Sequence, residues 1–442
     1  MTTRAPTRRP GLGESMASLR PFGVVDELNC YFDAPAEPNN VHVEIWLPGH
    51  LDPGRLRDAV TAALAAEPRA GVRRARGGWW RRGFSWELPA RESVDPVTTA
   101  AWLTAADLNL ARERFMAAAP PLDRSPPFRL LLARGPGRDS LILNAHHAAF
   151  DGRSCLRLLR LIAERYDATG LHAAPAGEPW ETRIPQSVRK ETGGRERHPV
   201  RHISRIAPRH ADGHRTRRAP GYGFALLGWP GVPAVPAAES GAPRVTVNDL
   251  LIAALIRAVQ EWNAAAGRAP GRVLISMPVD AREPGRGDEI GNLSRLCTVT
   301  ADPSERDLAA AVAAQTGPAK RQPGPPVGPA LTAAARVPLP TPVKRRAVRL
   351  AVRTVGRRQC DTSLLSNLGV VSEAPRFGAL VPERMWFSTT AHMPRGLSVG
   401  AITVGGRLQA CFRYRHALFD FAAARDFAAL YAAALAGMEG TP

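Results

Sequence analysis

Val41, Val43, Ile45 and Leu47 alternate with His42, Glu44 and Trp46, the period of a half-buried strand. Asp52-Pro53 then predicts a helix start, since proline suits a first turn, and Leu56, Val60 and Leu64 fall on one face of that helix. Trp79, Trp80, Phe84 and Trp86 stand among arginines and predict a strand pair whose aromatic face is either core or the lining of a pocket. Ala105 to Ala119 has helical character. Pro120-Pro121 and Pro126-Pro127 lead to a strand over Phe128–Ala133, and Gly135-Pro136-Gly137 marks a turn before an apolar run from Leu141. Leu156, Leu159 and Ile162 then share one face of a helix over Arg153–Asp167. Strands and helices interleaved in this way predict a mixed α/β fold.

From 177 to 243 the periodicity lapses into a stretch dense in Pro, Gly, Arg and His, which predicts a long linker. A second patterned half begins at Thr246, where Thr246 or Asn248 would cap a helix carrying Leu251, Leu255, Ala258, Val259 and Trp262 on one face. A strand over Val273–Pro278, a loop over Asp280–Asp288 and a helix over Leu308–Gln315 come next, then a proline-rich loop from Pro318 to Pro342. In the helix expected over Val343–Gly356, Arg345, Arg346, Arg349 and Arg353 share one face, and Val348, Val352 and Val355 form another. That is the pattern of a core helix with a solvated basic face, or of a helix lying on a membrane. Strands over 364–371, 384–390, 397–404 and 408–414 and a closing helix over 419–438 complete the chain. The expected organisation is an arm over 1–20, a lobe over 21–176, the linker over 177–243 and a second lobe over 244–442.

Composition narrows the class. A chain of 442 residues with 44% hydrophobic and 22% charged residues suits a globular protein of two domains. No apolar run approaches the roughly 20 residues of a membrane helix. Met1–Arg20 is rich in Arg, Pro, Gly and Ser without an apolar centre, so a cytoplasmic location is expected. Cys30, Cys155, Cys297, Cys360 and Cys411 are odd in number and widely spaced, against both a disulfide framework and a zinc site. His198, His202, His210 and His214 have no helix to present them and no cysteine or carboxylate to complete a set, so no metal is expected.

The net charge of +19 is concentrated: Arg183–Arg218 carries +8 and Lys344–Arg358 carries +7. Such an excess favours polyanionic partners: acidic lipid, coenzyme A, an acidic carrier protein or nucleic acid. No zinc-finger spacing or aromatic RNA-binding strand supports the last, and no nucleic-acid partner is expected.

The densest chemistry lies in Leu141–Gly152, where the apolar strand ends in His146-His147 and, after three residues, Asp151-Gly152. Histidine can take and return a proton near neutrality, and two consecutive residues leaving a strand point to opposite sides, so His146 and His147 cannot share one task. Asp151 could hold an imidazole, or pin the turn through an arginine from elsewhere. Gly152 permits a backbone that a side chain would forbid.

His146-His147-Ala148-Ala149-Phe150-Asp151-Gly152 resembles the HHxxxDG signature of the condensation-domain superfamily, which also holds chloramphenicol-acetyltransferase-like, wax-ester-synthase-like and polyketide-associated acyltransferases. Pro121–Arg129 resembles the segment those proteins carry before the motif strand. Met277–Arg282 with Gly291-Asn292-Leu293 resembles a later shared block, and Ser366-Asn367-Leu368-Gly369 and Gly405–Tyr414 resemble stand-alone condensation proteins. The similarity spans about Pro21 to Gly437. It implies a two-lobed chloramphenicol-acetyltransferase-like α/β fold, each lobe a mixed sheet with helices, around a tunnel.

The resemblance further implies acyl transfer from a thioester donor, on coenzyme A or a carrier's 4'-phosphopantetheine, to an amine or alcohol, with no bound cofactor. His147 would be the general base and His146 a support. Asp151 would pair with an arginine, for which Arg282 is the candidate, and Gly152 would leave room for the pantetheine arm. Ser366 or Asn367 could polarise the thioester carbonyl or only stabilise a turn; the Asp-Phe-Gly-Trp-Gly block of plant-type relatives is missing there. With no carrier sequence adjoining, an acidic carrier would come in trans. The expected role is amide or ester formation in secondary metabolism; a wax-ester or diacylglycerol type, or a non-catalytic carrier-binding protein, are the alternatives.

Overall fold

The computed structural model describes residues 19–89, 94–168, 203–210, 221–236, 243–283, 285–302, 304–321, 332–333, 336–354 and 360–438. His198, His202 and His214, most of the expected arm over 1–20 and most of the basic stretch from Arg183 to Arg218 lie outside them.

Two mixed sheets organise the described residues. The first contains β2 (Asn40–Leu47), β5 (Val97–Ala101), β6 (Phe128–Gly135), β7 (Arg138–His146) and β12 (Arg384–Ser388), in the order β12-β2-β7-β6-β5. β5 runs parallel to β6 and the other pairs are antiparallel. The second contains β8 (Tyr222–Gly228), β9 (Val273–Asp280), β10 (Ser294–Ala301), β11 (Ser363–Val371), β13 (Leu397–Val404) and β14 (Arg407–Arg415), ordered β10-β9-β11-β13-β14-β8. A small sheet joins β1 (Arg20–Pro21), β3 (Arg73–Arg74) and β4 (Ser85–Glu87). The fold is therefore the two-lobed mixed α/β arrangement expected.

Helices cover the sheets where their apolar faces predict. α2 (Pro53–Ala66) starts under Asp52, whose carboxylate accepts from Arg55 N, and buries Leu56, Val60 and Leu64 against the first sheet. α4 (Gly152–Ala168) packs beside it through Leu158, Leu159 and Ile162. In the second lobe α5 (Val247–Ala265) opens with a capping box of Thr246 and Asp249 and is buried with α8 (Phe421–Ala436). α1 (Val24–Phe32), α3 (Ala105–Met116), α6 (Leu308–Arg321) and α7 (Thr341–Thr354) complete the helical set used below.

Several expectations need correction. β2 is buried on both faces, because Arg112 of α3 covers the polar side and pairs with Glu44, which also accepts from Trp46 and Ser140. The 177–243 linker is not linker throughout: β8 is an edge strand paired with β14, and Ile203–Ala207 packs on the second lobe. The lobes are not contiguous in sequence either, since β12, from within 244–442, forms the edge of the first sheet against β2. α6 continues through Pro318 to Arg321, where a loop was expected.

Trp86 is buried in β4, whereas Trp79 and Trp80 stand exposed on a turn. On α7, Val348 is buried and Lys344 pairs with Glu27 at 2.7 Å. Arg349 donates to Tyr31 O (3.0 Å), and Arg345 and Arg349 both donate to Asp33 O, so part of the basic face serves the C-terminal end of α1. Cations at the last carbonyls of a helix satisfy orphan acceptors and complement its dipole.

Candidate active site at the lobe junction

The turn after β7 lies where the two halves of the chain meet. His147 N donates to Asn39 O (2.9 Å), and His147 O accepts from Asn292 Nδ2 (2.7 Å) in the second lobe. Asp151 N donates to Gly291 O (3.2 Å), so three consecutive residues, Gly291, Asn292 and Leu293, hold the turn from the far side.

The two histidines part as strand geometry requires. His146 is buried; its Nδ1 accepts from Ala148 N at 3.0 Å, which leaves the proton on Nε2, facing Asp33 Oδ2 at 3.8 Å. Burial alone would lift the Asp33 carboxyl. The contact with His146, the Asn39 N–H and the charge of Arg345 instead carry it below the usual carboxylate range.

His147 is partly exposed and holds the opposite tautomer. Its Nδ1 lies 3.1 Å from Phe150 O, and a carbonyl can only accept, so Nδ1 carries the proton and Nε2 keeps its lone pair. Nε2 makes no hydrogen bond among the described residues. Burial is the main cause of a lowered His147 pKa, with the charge of His146 acting the same way against smaller raising contributions from its backbone contacts and Asp151. A neutral imidazole with a free Nε2 is able to accept a proton.

Asp151 caps α4: Oδ1 accepts from Ser154 N (2.8 Å) and from Arg282 Nη2 (2.9 Å), while Oδ2 accepts from Leu293 N (3.0 Å). Arg282 also donates to Ser154 Oγ (2.8 Å), to Asp280 Oδ1 (3.0 Å) and to Glu289 O (3.0 Å). The carboxylate therefore pins the turn and does not hold either imidazole. Gly152 sits in a close approach between the lobes. A Cβ there would stand 2.7 Å from the Phe387 ring and 2.8 Å from a Leu368 methyl, so the position has no space for a side chain.

Ser366 is buried in β11. Asn367 Oδ1 accepts from Gly369 N (2.9 Å) at an irregularity of that strand, where Gly369 has φ +77°, a left-handed conformation that favours glycine. Its amide oxygen thus holds this irregular stretch of β11.

Sequence reasoning missed Asn39 and His392. Asn39 joins the set: its N donates to Asp33 Oδ1 (2.9 Å), its O accepts from His147 N, and its Oδ1 faces His392 Nε2 at 3.4 Å. Burial, with the charges of Arg395, Arg413, Arg415 and His147, depresses His392 to about 3. Arg413 is wholly buried, donates to Asn40 O (2.8 Å) and lies over the Tyr222 ring, tying β14 and β8 to the start of β2. Neither Asn39 nor His392 belongs to a local motif; only the fold brings them to the histidine turn. Among the described residues no group of His, Cys, Asp and Glu could hold a metal ion, and no helix is long and apolar enough to cross a membrane.

No protein-family profile matches the chain. It is 32% identical over 431 residues to an uncharacterized protein of Mycobacterium tuberculosis, found in strains CDC 1551 and H37Rv, covering 92% of this chain and 96% of that one. Among solved structures it resembles the epimerization domain from the third module of tyrocidine synthetase B, with a TM-score of 0.60, 14% identity and 98% of each chain covered. The condensation domain of the Monacolin K polyketide synthase MokA gives a TM-score of 0.61 at 11% identity, covering 96% of this chain and 98% of that one. The starter condensation domain of rhizomide synthetase, solved with C8-CoA, gives 0.60 at 13% identity and 96% of each chain.

Proposed function

The chain belongs to the family of the Mycobacterium tuberculosis protein and has the condensation-domain fold, and we propose that it is a thioester-dependent acyltransferase with His147 as its general base. In this reading an amine or alcohol gives its proton to His147 Nε2 as it bonds to the thioester carbonyl carbon. The carbon–sulfur bond then breaks, and the departing thiolate recovers the proton from the imidazolium. A thioester is already activated, so the base need only deprotonate a bound nucleophile. The observation that carries the reading is the Nδ1-to-Phe150 O contact, which leaves Nε2 as acceptor at the lobe junction.

Asp151 and Arg282 are positioning residues: they fix the turn and the start of α4, and neither is required to touch substrate. The donor would ride on coenzyme A or on the phosphopantetheine of a carrier in trans, and secondary metabolism is the proposed setting.

Intact-mass detection of acyl transfer tests this, with coenzyme A and carrier-bound donors offered against amine and alcohol acceptors. Transfer that disappears in His147→Ala supports it. A second reading is a non-catalytic protein that docks a carrier or partner on this fold. Absence of transfer from every donor, with retained binding of a loaded carrier, would select that reading.

A further inference from the structure

Among the exposed large apolar side chains, several gather on one side of the first lobe. Trp79 is 72% exposed and Trp80 65%, at the tip of the segment joining β3 to β4. Their rings meet edge to face with centroids 6.2 Å apart. Thr341 N donates to Arg81 O (2.8 Å), which fastens this tip to the start of α7. Around that bond Val337, Leu339 and Val343 are also exposed, and Leu350 comes two turns along α7. Among the described residues neither tryptophan ring stacks on another element, and isolated exposed apolar residues would need no account, but a clustered set does.

Charge identifies the partner. Arg76 and Arg82 flank the tryptophans and are exposed, as are Arg336, Arg345 and Arg346 beside the valines and leucines. No Asp or Glu occurs from Val72 to Trp86, nor from Leu308 to Cys360. Two neighbouring carboxylates are occupied, Glu87 by Arg73 and Glu27 by Lys344.

Tryptophans projecting among arginines, with aliphatic side chains between them, match the interfacial layer of an anionic bilayer. There indole rings settle at headgroup depth, apolar side chains enter the acyl boundary and arginines meet phosphates. From these observations we propose that this face, the Trp79-Trp80 turn with the start of α7, docks the protein on membranes rich in anionic lipid. An acidic protein would be met by the arginines, but it would leave the projecting indoles without the apolar layer they fit. The proposal stands whether or not His147 is a base, and it assigns the basic face a second use beyond the hydrogen bonds of Arg345 and Arg349 to α1.

The test is sedimentation of the full chain with vesicles of phosphatidylcholine alone and of phosphatidylcholine mixed with phosphatidylglycerol. Binding is expected to the mixed vesicles only, and to weaken with salt. W79S/W80S changes two exposed side chains; it is expected to keep the wild-type melting temperature and lose most vesicle binding. Arg76→Gln with Arg82→Gln is expected to weaken binding roughly thirtyfold. Brominated phospholipid is expected to quench part of the tryptophan fluorescence of the wild type and none of that of W79S/W80S. Equal binding to neutral and anionic vesicles, no binding to either, or binding unchanged in W79S/W80S each overturns the proposal. So does capture of an acidic carrier protein through the two tryptophans in the absence of vesicle binding.

Discussion

Asp151 Oδ1 and Arg282 Nη2 meet at 2.9 Å although 131 residues separate them in the chain, and both side chains are almost wholly buried. This one contact joins the cap of α4 to the loop after β9, and so couples the histidine turn to the second lobe.

Removing Arg282 would leave the buried Asp151 without its counter-charge, at a cost of about 3–5 kcal/mol, whereas Arg282 without Asp151 keeps Asp280 and loses less. Asp151→Ala and Arg282→Ala are each expected to lower the melting temperature, Arg282→Ala the more, and the double variant to lose clearly less than the sum. Thermal melts of the four proteins decide it. Additive losses would mean that Ser154 N and Leu293 N, the other donors to Asp151, carry its role.

Gly152 offers a test of how tightly the lobes close. An alanine there must push into Phe387 and Leu368, and overpacking of this kind costs about 1–3 kcal/mol. Gly152→Ala is expected to be destabilised by that amount in urea melts. Leu368→Ala introduced beside it removes one of the two obstructing groups and is expected to restore part of the loss. No recovery would place the strain at Phe387.

Much of the site was legible because its residues are consecutive. The apolar run that ends at His146-His147, the Asp151-Gly152 pair and the helical face of Leu156, Leu159 and Ile162 all lie within one strand–turn–helix unit, where periodicity speaks. Arg282 could be named only through the resemblance, and the partnership appears in the hydrogen bonds. Asn39, Asp33 and His392 were invisible, since nothing local marks a residue whose role depends on three distant segments converging. Strand patterning likewise identified 384–390 but not its sheet: alternation records which side chains are buried, and β12 is buried equally well beside β2. The exposed Trp79 and Trp80 misled for the opposite reason, because hydrophobic character predicts burial on average and an exposed pair breaks the rule.

His392 makes a prediction about pH and stability. Its folded-state pKa is depressed to about 3, while an unfolded chain would bind a proton near 6.5. Between those values the unfolded state holds more protons, so stability rises with pH and falls as pH drops from about 6.5 toward 3. His392→Gln is expected to flatten that part of the curve of melting temperature against pH. A variant with the wild-type slope would show that other groups, Asp33 or His147 among them, set the acid sensitivity.

The proposed role of His147 gives the last prediction. His147 Nε2 needs its lone pair, and burial lowers the pKa of the imidazole, so the neutral form persists to lower pH than for an ordinary histidine. The acidic limb of kcat/KM against pH is therefore expected to have its midpoint below about 6.5. His147→Ala removes a partly exposed ring, so the melting temperature is expected to change little, while acyl transfer falls by roughly 10²–10⁴, the range a positioned general base contributes. His146→Ala removes a buried ring and its contacts to Ala148 N and Asp33, and is expected to lower stability more than activity per folded molecule. A His147→Ala protein that transfers acyl groups at the wild-type rate would remove the acid–base mechanism. A full loss in His146→Ala with an unchanged melting temperature would move the base one residue back.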